Sequence, residues 1–336
     1  MGRDEPLPMV SPPILAVLIS AAFTFQSANL PRNDDFARAV AAAAEAIRTA
    51  PDQAAGWIRR AQLYGAHGDH AKAVSDYSQV IKLEPKNADA WQRRGEAYFK
   101  SGKIAESISN FDRFLSLRPD QKPYHWQRGI SLYYAGRFAD GKQQFALHQT
   151  VNSNDVENAV WHFLCTARSD GLETAKKSLI PIEGDARVPM AQVHQLFAGK
   201  CTPQDVLAAA GAAPAQTPSG EPIFYAHLYL GIYYEALGDD KKAREYILKA
   251  AERSKANGYM GDVARVHAGI LRALRPRRPQ SPPPGEGKQL PLLVVHRASG
   301  EQRPVPDEER GGEDNHTYSF QGLAFDVIPN GALFAQ

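Results

Sequence analysis

Apolar, small and turn-forming residues recur every 34 residues between Pro51 and Asn154. The matching positions are Pro51, Pro85 and Pro119; Gly68, Gly102 and Gly136; Arg60, Arg94 and Arg128; Tyr77, Phe111 and Phe145; Ala61, Gly95 and Gly129; and Ala73, Ser107 and Gly141. Because these columns stay in register over three copies, they predict one structural unit repeated along the chain.

Each copy has the spacing of two helices joined by a turn. Trp57, Ala61 and Tyr64 are separated by four and three residues, which places them on one face of a first helix. Gly68 follows, and glycine is the residue that most easily takes the left-handed conformation at the end of a helix. A second apolar helical face comes next, and Pro85 ends the unit because proline cannot continue a helix.

This unit resembles the tetratricopeptide repeat (TPR), a helical hairpin that stacks into a solenoid. The resemblance extends from Phe36 to Leu274. It implies an all-α fold, a right-handed solenoid of helical hairpins, followed by a disordered or poorly structured C-terminal tail.

The predicted segments follow the places where the period holds, weakens and returns. They are a half repeat over 33–53, full repeats over 54–87, 88–121 and 122–155, irregular helices over 156–211, a repeat over 224–257 and a capping helix over 261–274.

Residues 1–30 are interpreted as a signal peptide. Ile14 to Phe25 is an apolar run too short to span a bilayer, and the small residues Ser27 and Ala28 follow it. We therefore expect export to the periplasm or outside the cell and no stable membrane span. A buried or artefactual N-terminal helix, in a cytoplasmic protein, is the alternative. At the other end, residues 275–336 begin with a proline-rich basic linker and receive no fold assignment.

The net charge and the cysteine content argue against two classes of protein, nucleic-acid-binding proteins and disulfide-stabilised scaffolds. The 336 residues carry a formal net charge of only +2, which gives no electrostatic reason to expect a nucleic-acid partner. The two cysteines, Cys165 and Cys201, are too few for a disulfide scaffold. The two cysteines could form a disulfide in an exported protein, but we favour the interpretation that they are separately buried thiols.

The second half also resembles the periplasmic NlpI-type TPR lipoproteins. The resemblance is carried by Asn154-Asp155 ahead of Trp161, by the run 196–199 (LFAG), and by the run 229–231 (YLG) with 236–239 (ALGD). It implies a non-enzymatic adaptor that holds peptidases or other envelope partners. No cysteine follows the apolar run of residues 14–25, so the sequence departs from that family at the lipid-acceptor position.

The first helices of a TPR solenoid line a concave wall, and we expect a protein or peptide partner to bind there. The predicted groove residues are Gln62, Gln92, Arg93, Glu96, Phe99, Trp126, Gln127, Ile130, Tyr133, Trp161 and His162. Trp, Tyr and Arg dominate peptide hot spots, although Trp126 and Tyr133 could equally pack the third repeat. Binding of an acidic C-terminal tail is not expected, because Arg93 is the one cation at the positions of the chaperone-type carboxylate clamp.

The remaining arginines, histidines and cysteines of interest are interpreted as structural residues and not as catalytic or metal-binding ones. The arginine column is interpreted as structural, with each stem along the neighbouring repeat and each head at solvent or a carboxylate. His67 and His70 lack the further ligands of a metal site, and His162 with Cys165 lacks a third group to orient a nucleophile. We therefore predict no catalytic residue, metal or cofactor.

The sequence predicts an adaptor or scaffold that binds a polypeptide in the groove. One alternative is an enzyme or a small-ligand or metal-binding module that uses the irregular middle or the tail. Another is self-association, since the ends of solenoids often stack.

Overall fold

The computed structural model describes residues 33–273. The predictions of a signal peptide over 1–30 and of a linker and tail over 275–336 lie outside the described residues. No helix in the described part is long and apolar enough to cross a membrane.

The described residues are mostly helical and contain no strand. Its helices are α1 (Asn33–Thr49), α2 (Ala54–His67), α3 (His70–Leu83), α4 (Ala88–Lys100), α5 (Ile104–Leu117), α6 (Trp126–Tyr134), α7 (Phe138–Gln149), α8 (Val156–Asp170), α9 (Leu172–Lys177), α10 (Met190–Phe197), α11 (Pro203–Ala212), α12 (Pro222–Ala236), α13 (Asp240–Glu252) and α14 (Gly258–Ala273). Two short 3₁₀ helices cover Pro119–Tyr124 and Ser254–Ala256. The all-α hairpin solenoid predicted from the sequence is confirmed.

Glycine ends the first helix of each regular hairpin. The φ angles are 92° at Gly68, 75° at Gly102, 73° at Gly136 and 75° at Gly238. These are left-handed values that cost glycine little and strain other residues. The turn predicted from the glycine column is confirmed.

The small-residue column lets the two helices of a hairpin approach closely. A Cβ atom built on Gly95 would lie 2.7 Å from the ring of Phe111, and one on Gly129 would lie 2.7 Å from the ring of Phe145. Both rings are buried, so each packs directly on the backbone of the first helix. The aromatic column thus fills the space that the small column leaves free.

The arginine column pairs with side chains sixteen residues further along. The bonds run from Arg60 to Asp76 (2.8 Å, twice), from Arg94 to Asn110 (2.8 Å) and from Arg128 to Gln144 (3.3 Å). The structural interpretation is confirmed, but each such acceptor lies on the second helix of the arginine's own repeat. The guanidinium groups of Arg60 and Arg94 stand over Trp57 and Trp91, at 5.1 and 4.8 Å from the ring centres. Arg94 also donates a hydrogen bond of 2.9 Å to Oγ of Ser78 in the preceding repeat, so it contacts the neighbouring repeat as expected.

The third repeat departs from the pattern at its start, where a 3₁₀ helix replaces the proline turn. His125 precedes α6, and its Nδ1 accepts a hydrogen bond from the backbone N–H of Arg128 at 3.2 Å. Its Nε2 lies 2.7 Å from Oε1 of Gln92. Burial lowers the pKa of His125 to about 3. The neutral ring, with its proton on Nε2, therefore caps α6 and ties it to α4.

The C-terminal helix α14 is longer and more deeply buried than a terminal cap. It begins at Gly258, three residues before the predicted start, and Met260, Val263 and Ala264 on it are buried. The largest apolar core runs from Phe99 to Ala268, whereas the N-terminal repeats hold two small separate clusters. The helix predicted to cap the stack therefore forms part of its main core.

Candidate functional site

The first-helix wall is the set of predicted groove residues on α2, α4, α6 and α8. Its N-terminal part is accessible: Gln62 on α2 is exposed, and the side chain of Arg93 on α4 is 44% exposed. This part of the wall is polar, since Gln62, Arg93 and Glu96 follow one another along it.

Four residues of the wall form a polar network around Glu96. Its Oε1 accepts hydrogen bonds from Nε2 of Gln92 at 3.1 Å and from Nε2 of Gln127 at 3.5 Å. Its Oε2 lies 3.7 Å from Nη1 of Arg93. The structure thus brings together Gln92, Arg93, Glu96 and Gln127, which the sequence placed in two different repeats.

The middle of the wall is covered by the start of α14. The ring of Tyr259 stacks on Phe99 with centroids 5.4 Å apart and meets Trp126 edge-on at 5.1 Å. An ion pair of 3.1 Å joins Lys100 to Asp262. Trp126 stays half-buried, whereas Phe99 is fully buried.

The C-terminal part of the wall is core. Tyr133 donates a hydrogen bond of 3.0 Å to Glu235 on α12, and Trp161 packs edge-on against Tyr133 at 5.3 Å. Burial raises the pKa of Tyr133 well above its usual value.

The expectation of an open groove is therefore wrong at four residues, which are Phe99, Ile130, Tyr133 and Trp161. The physical reason is that their apolar side chains need cover, and α12 and α14 provide it. His162 on α8 is half-buried, and a partner role for it stays a prediction.

An inner cleft lies where α6, α8 and the start of α14 meet. Its cavity volume is about 200 Å³. Its lining residues are Trp126, Ile130, Phe145, His148, Asp155, Glu157, Asn158, Trp161, Arg187 and Met260. Sequence reasoning identified Trp126, Ile130 and Trp161 but missed Glu157, Asn158 and Arg187. The available signal was an arginine inside the otherwise acidic connection before Pro189.

The inner cleft contains a half-buried charge cluster. Nη2 of Arg187 lies 2.6 Å from Asp155 and 2.6 Å from Asp185, and Nη1 lies 3.4 Å from Oε1 of Glu157. Burial raises the pKa of Glu157 to about 7, against the opposing effect of Arg187. Asp155 also caps α8 by accepting from the backbone N–H of Glu157 at 3.0 Å.

Cys165 and His67, two of the residues considered as reactive or metal-binding groups, are packed against other side chains. Both cysteines are free thiols, and burial raises the pKa of Cys165, which disfavours the reactive thiolate. His67 stacks on Phe36 with centroids 3.9 Å apart. Among residues 33–273, no group of three or more His, Cys, Asp or Glu side chains is placed to hold a metal ion.

Two matches to family models bear on the hairpins described above. Models described as "Tetratricopeptide repeat" match residues 58–122 and residues 226–257. These are the first regular hairpins and the late one formed by α12 and α13. The chain contains tetratricopeptide repeats in these hairpins.

Solved structures similar to this TPR protein include a tetratricopeptide repeat protein from Parabacteroides merdae ATCC 43184. That structure is 17% identical, with a TM-score of 0.46, over 71% of this chain and 93% of the other. A second is YrrB, described as a TPR protein with an unusual peptide-binding site, at 18% identity and a TM-score of 0.38, over 69% and 100% of the two chains. A third is the MamA protein, at 14% identity and a TM-score of 0.41, over 50% and 85%.

A search of curated proteins found no match to this TPR protein. Its resemblance to the periplasmic NlpI-type lipoproteins stays a prediction.

Proposed function

We propose that this TPR protein is an adaptor that binds a segment of another polypeptide on the accessible part of the first-helix wall. The observation that carries the proposal is the network of Gln92, Arg93, Glu96 and Gln127, which α14 leaves uncovered on its Arg93 side. The proposal involves no bond chemistry.

The network offers the groups that an extended peptide needs. Glutamine amides both donate and accept, so Gln92 and Gln127 can pair with the N–H and C=O groups of a peptide backbone. Arg93 supplies an accessible cation for an acidic side chain, and Glu96 lies beside it. An exposed arginine beside buried aromatic residues is also a frequent hot spot of protein interfaces.

The proposal includes action after export, in the periplasm or outside the cell. Its support is the apolar run Ile14 to Phe25 with the small residues that follow it. Cell fractionation tests this part separately, and recovery of the protein in the cytoplasmic fraction alone would contradict it.

The test of binding uses the full-length protein as bait and quantitative mass spectrometry of captured proteins. Arg93→Glu reverses the charge at the accessible edge of the network, and we expect at least tenfold weaker capture of the main partner. The matched control is Arg113→Glu on α5, an exposed arginine on a second helix. Equal capture by the two variants would rule out the proposed surface.

A further inference from the structure

We propose that the inner cleft binds an organic cation, specifically the ammonium or guanidinium group of a ligand that enters beside Trp126. This site is separate from the adaptor surface proposed above and does not depend on it. It would take a basic side chain of a polypeptide or a free aliphatic amine.

The first support is the balance of charge. Arg187 is the one cation in the cluster, and it faces Asp155, Glu157 and Asp185. Its closest contacts go to the two aspartates at 2.6 Å, whereas it reaches Oε1 of Glu157 at 3.4 Å as an ion pair without a hydrogen bond. The cluster is therefore short of positive charge on the side of Glu157, which lines the cleft.

The second support is a set of buried polar atoms without partners. Within residues 33–273, Oε1 of Glu157, Oδ1 of Asn158 and Nε1 of Trp161 have no hydrogen-bond partner. Asn158 and Trp161 are only 3% and 2% exposed, and both line the cleft. Buried polar atoms are nearly always hydrogen-bonded, and an unsatisfied one destabilises the folded protein. Two of these three atoms are acceptors, so a ligand rich in N–H donors would satisfy them.

His148 lines the same cleft. Its Nδ1 lies 2.9 Å from the carbonyl oxygen of Pro123, and a carbonyl can only accept, so Nδ1 carries a proton. The unpartnered acceptors of the cleft are thus those of Glu157 and Asn158.

The aromatic lining selects an organic cation over a bare ion. Trp126 and Trp161 both line the cleft, and tryptophan is the side chain that attracts a cation most strongly through its ring face. Met260 and Ile130 add apolar contact for the carbon chain that carries the charge. A lysine side chain or a short diamine has this combination of a charged end and an apolar stem.

The test titrates the full-length protein with two cations and one neutral probe. These are Nα-acetyl-lysine methylamide, 1,4-diaminobutane and the neutral Nα-acetyl-norleucine methylamide, which matches the lysine derivative in size, and binding is followed by calorimetry and by tryptophan fluorescence. We expect saturable binding of at least one cation and at least tenfold weaker binding of the neutral probe. Preference for the lysine derivative identifies a polypeptide side chain as the source, and preference for the diamine identifies a free amine.

Two substitutions with opposite expected effects on cation affinity distinguish loss of recognition from a folding defect. Glu157→Gln removes the charge and should weaken cation binding at least tenfold. Asn158→Asp adds a carboxylate beside it and should strengthen cation binding several-fold, which a damaged fold would not do. Glu173→Gln on the exposed helix α9 is the matched control and should bind as the wild type does.

The proposal is overturned if neither cation binds saturably, or if the neutral probe binds as well as the cations. It is also overturned if Glu157→Gln retains wild-type affinity, or if Asn158→Asp weakens binding.

Discussion

Gly65 and Gly95 both lie inside the first helices of repeats, but only Gly95 is in close contact with another side chain. A Cβ on Gly95 would lie 2.7 Å from the buried ring of Phe111, whereas nothing lies within 4 Å of one on Gly65. We expect Gly95→Ala to destabilise the protein by about 1–3 kcal/mol, because the ring cannot move away without disturbing the core.

Gly65→Ala is the matched control, and we expect it to stabilise the protein by up to about 1 kcal/mol, since alanine favours the helix over glycine. Urea unfolding of the two variants measures both effects. If the two substitutions shift the unfolding midpoint in the same direction, the close packing of the small and aromatic columns is not what constrains Gly95.

His125 links stability to pH at the residue scale. Burial lowers its pKa in the folded protein to about 3, below the value of about 6.5 expected when unfolded. The unfolded state therefore binds a proton more readily, and stability is lost as the pH falls below about 6.5. Between pH 6.5 and pH 5 this single group accounts for a loss of about 2 kcal/mol.

His125→Asn tests this contribution, because asparagine caps a helix well and does not titrate. We expect the variant to lose about 2 kcal/mol less than the wild type between pH 7 and pH 5. Urea unfolding at the two pH values measures the difference. An unchanged pH response would show that the ring of His125 accepts a proton without cost in the folded state.

At the scale of elements, the position of α14 depends on Gly261. A Cβ on this residue would collide with the backbone carbonyl oxygen of Ser254, which cannot rotate away. We expect Gly261→Ala to displace the start of α14 and uncover Phe99 and Trp126, at a cost of about 3 kcal/mol.

Gly269 lies later on α14 with nothing within 4 Å of an added Cβ, so Gly269→Ala is the matched control. Dye binding to exposed apolar surface, together with urea unfolding, distinguishes the two variants. The anchoring role of Gly261 is refuted if Gly261→Ala binds no more dye than Gly269→Ala does.

At the scale of the whole molecule, apolar packing is uneven. The N-terminal repeats rest on small clusters such as Ala61, Ala73, Tyr77 and Ala97, whereas α8 and α12 belong to the large core. In a solenoid each unit is stabilised mainly by its neighbours, so weakly packed terminal units open first.

We therefore expect amide hydrogen exchange to be fastest in α1 to α3 and slowest in α8 and α12. Exchange followed by mass spectrometry at neutral pH measures this order along the chain. Uniform protection across residues 33–273 would mean that the array opens only as a single cooperative unit.

The repeats could be predicted from the sequence because their contacts are local and recur. The turn at Gly68, the close approach of Gly95 to Phe111 and the pairing of Arg60 with Asp76 each lie within a single hairpin, so one copy supports the interpretation of the next. The polar part of the wall followed from the same register, since Gln92 and Gln127 occupy nearly equivalent places in successive repeats.

The burial of the remaining wall could not be predicted in this way. It depends on pairs far apart in the sequence, such as Tyr133 with Glu235 and Tyr134 with His267, which no repeat period relates. The inner cleft depends in addition on Arg187, from an irregular connection whose path has no sequence signature. Apolar groove residues and apolar core residues also look alike in a sequence, and the covering helix decides between them.

The return of α14 to the wall of earlier repeats has a mechanical consequence. An open array of hairpins can lengthen or shorten like a spring, because each interface needs to slide only slightly. Here any such change of pitch must also break the stack of Tyr259 on Phe99 and the ion pair of Lys100 with Asp262. These contacts therefore stiffen the array. A partner that pulls on it would load the contacts of α14 before the hairpins could separate.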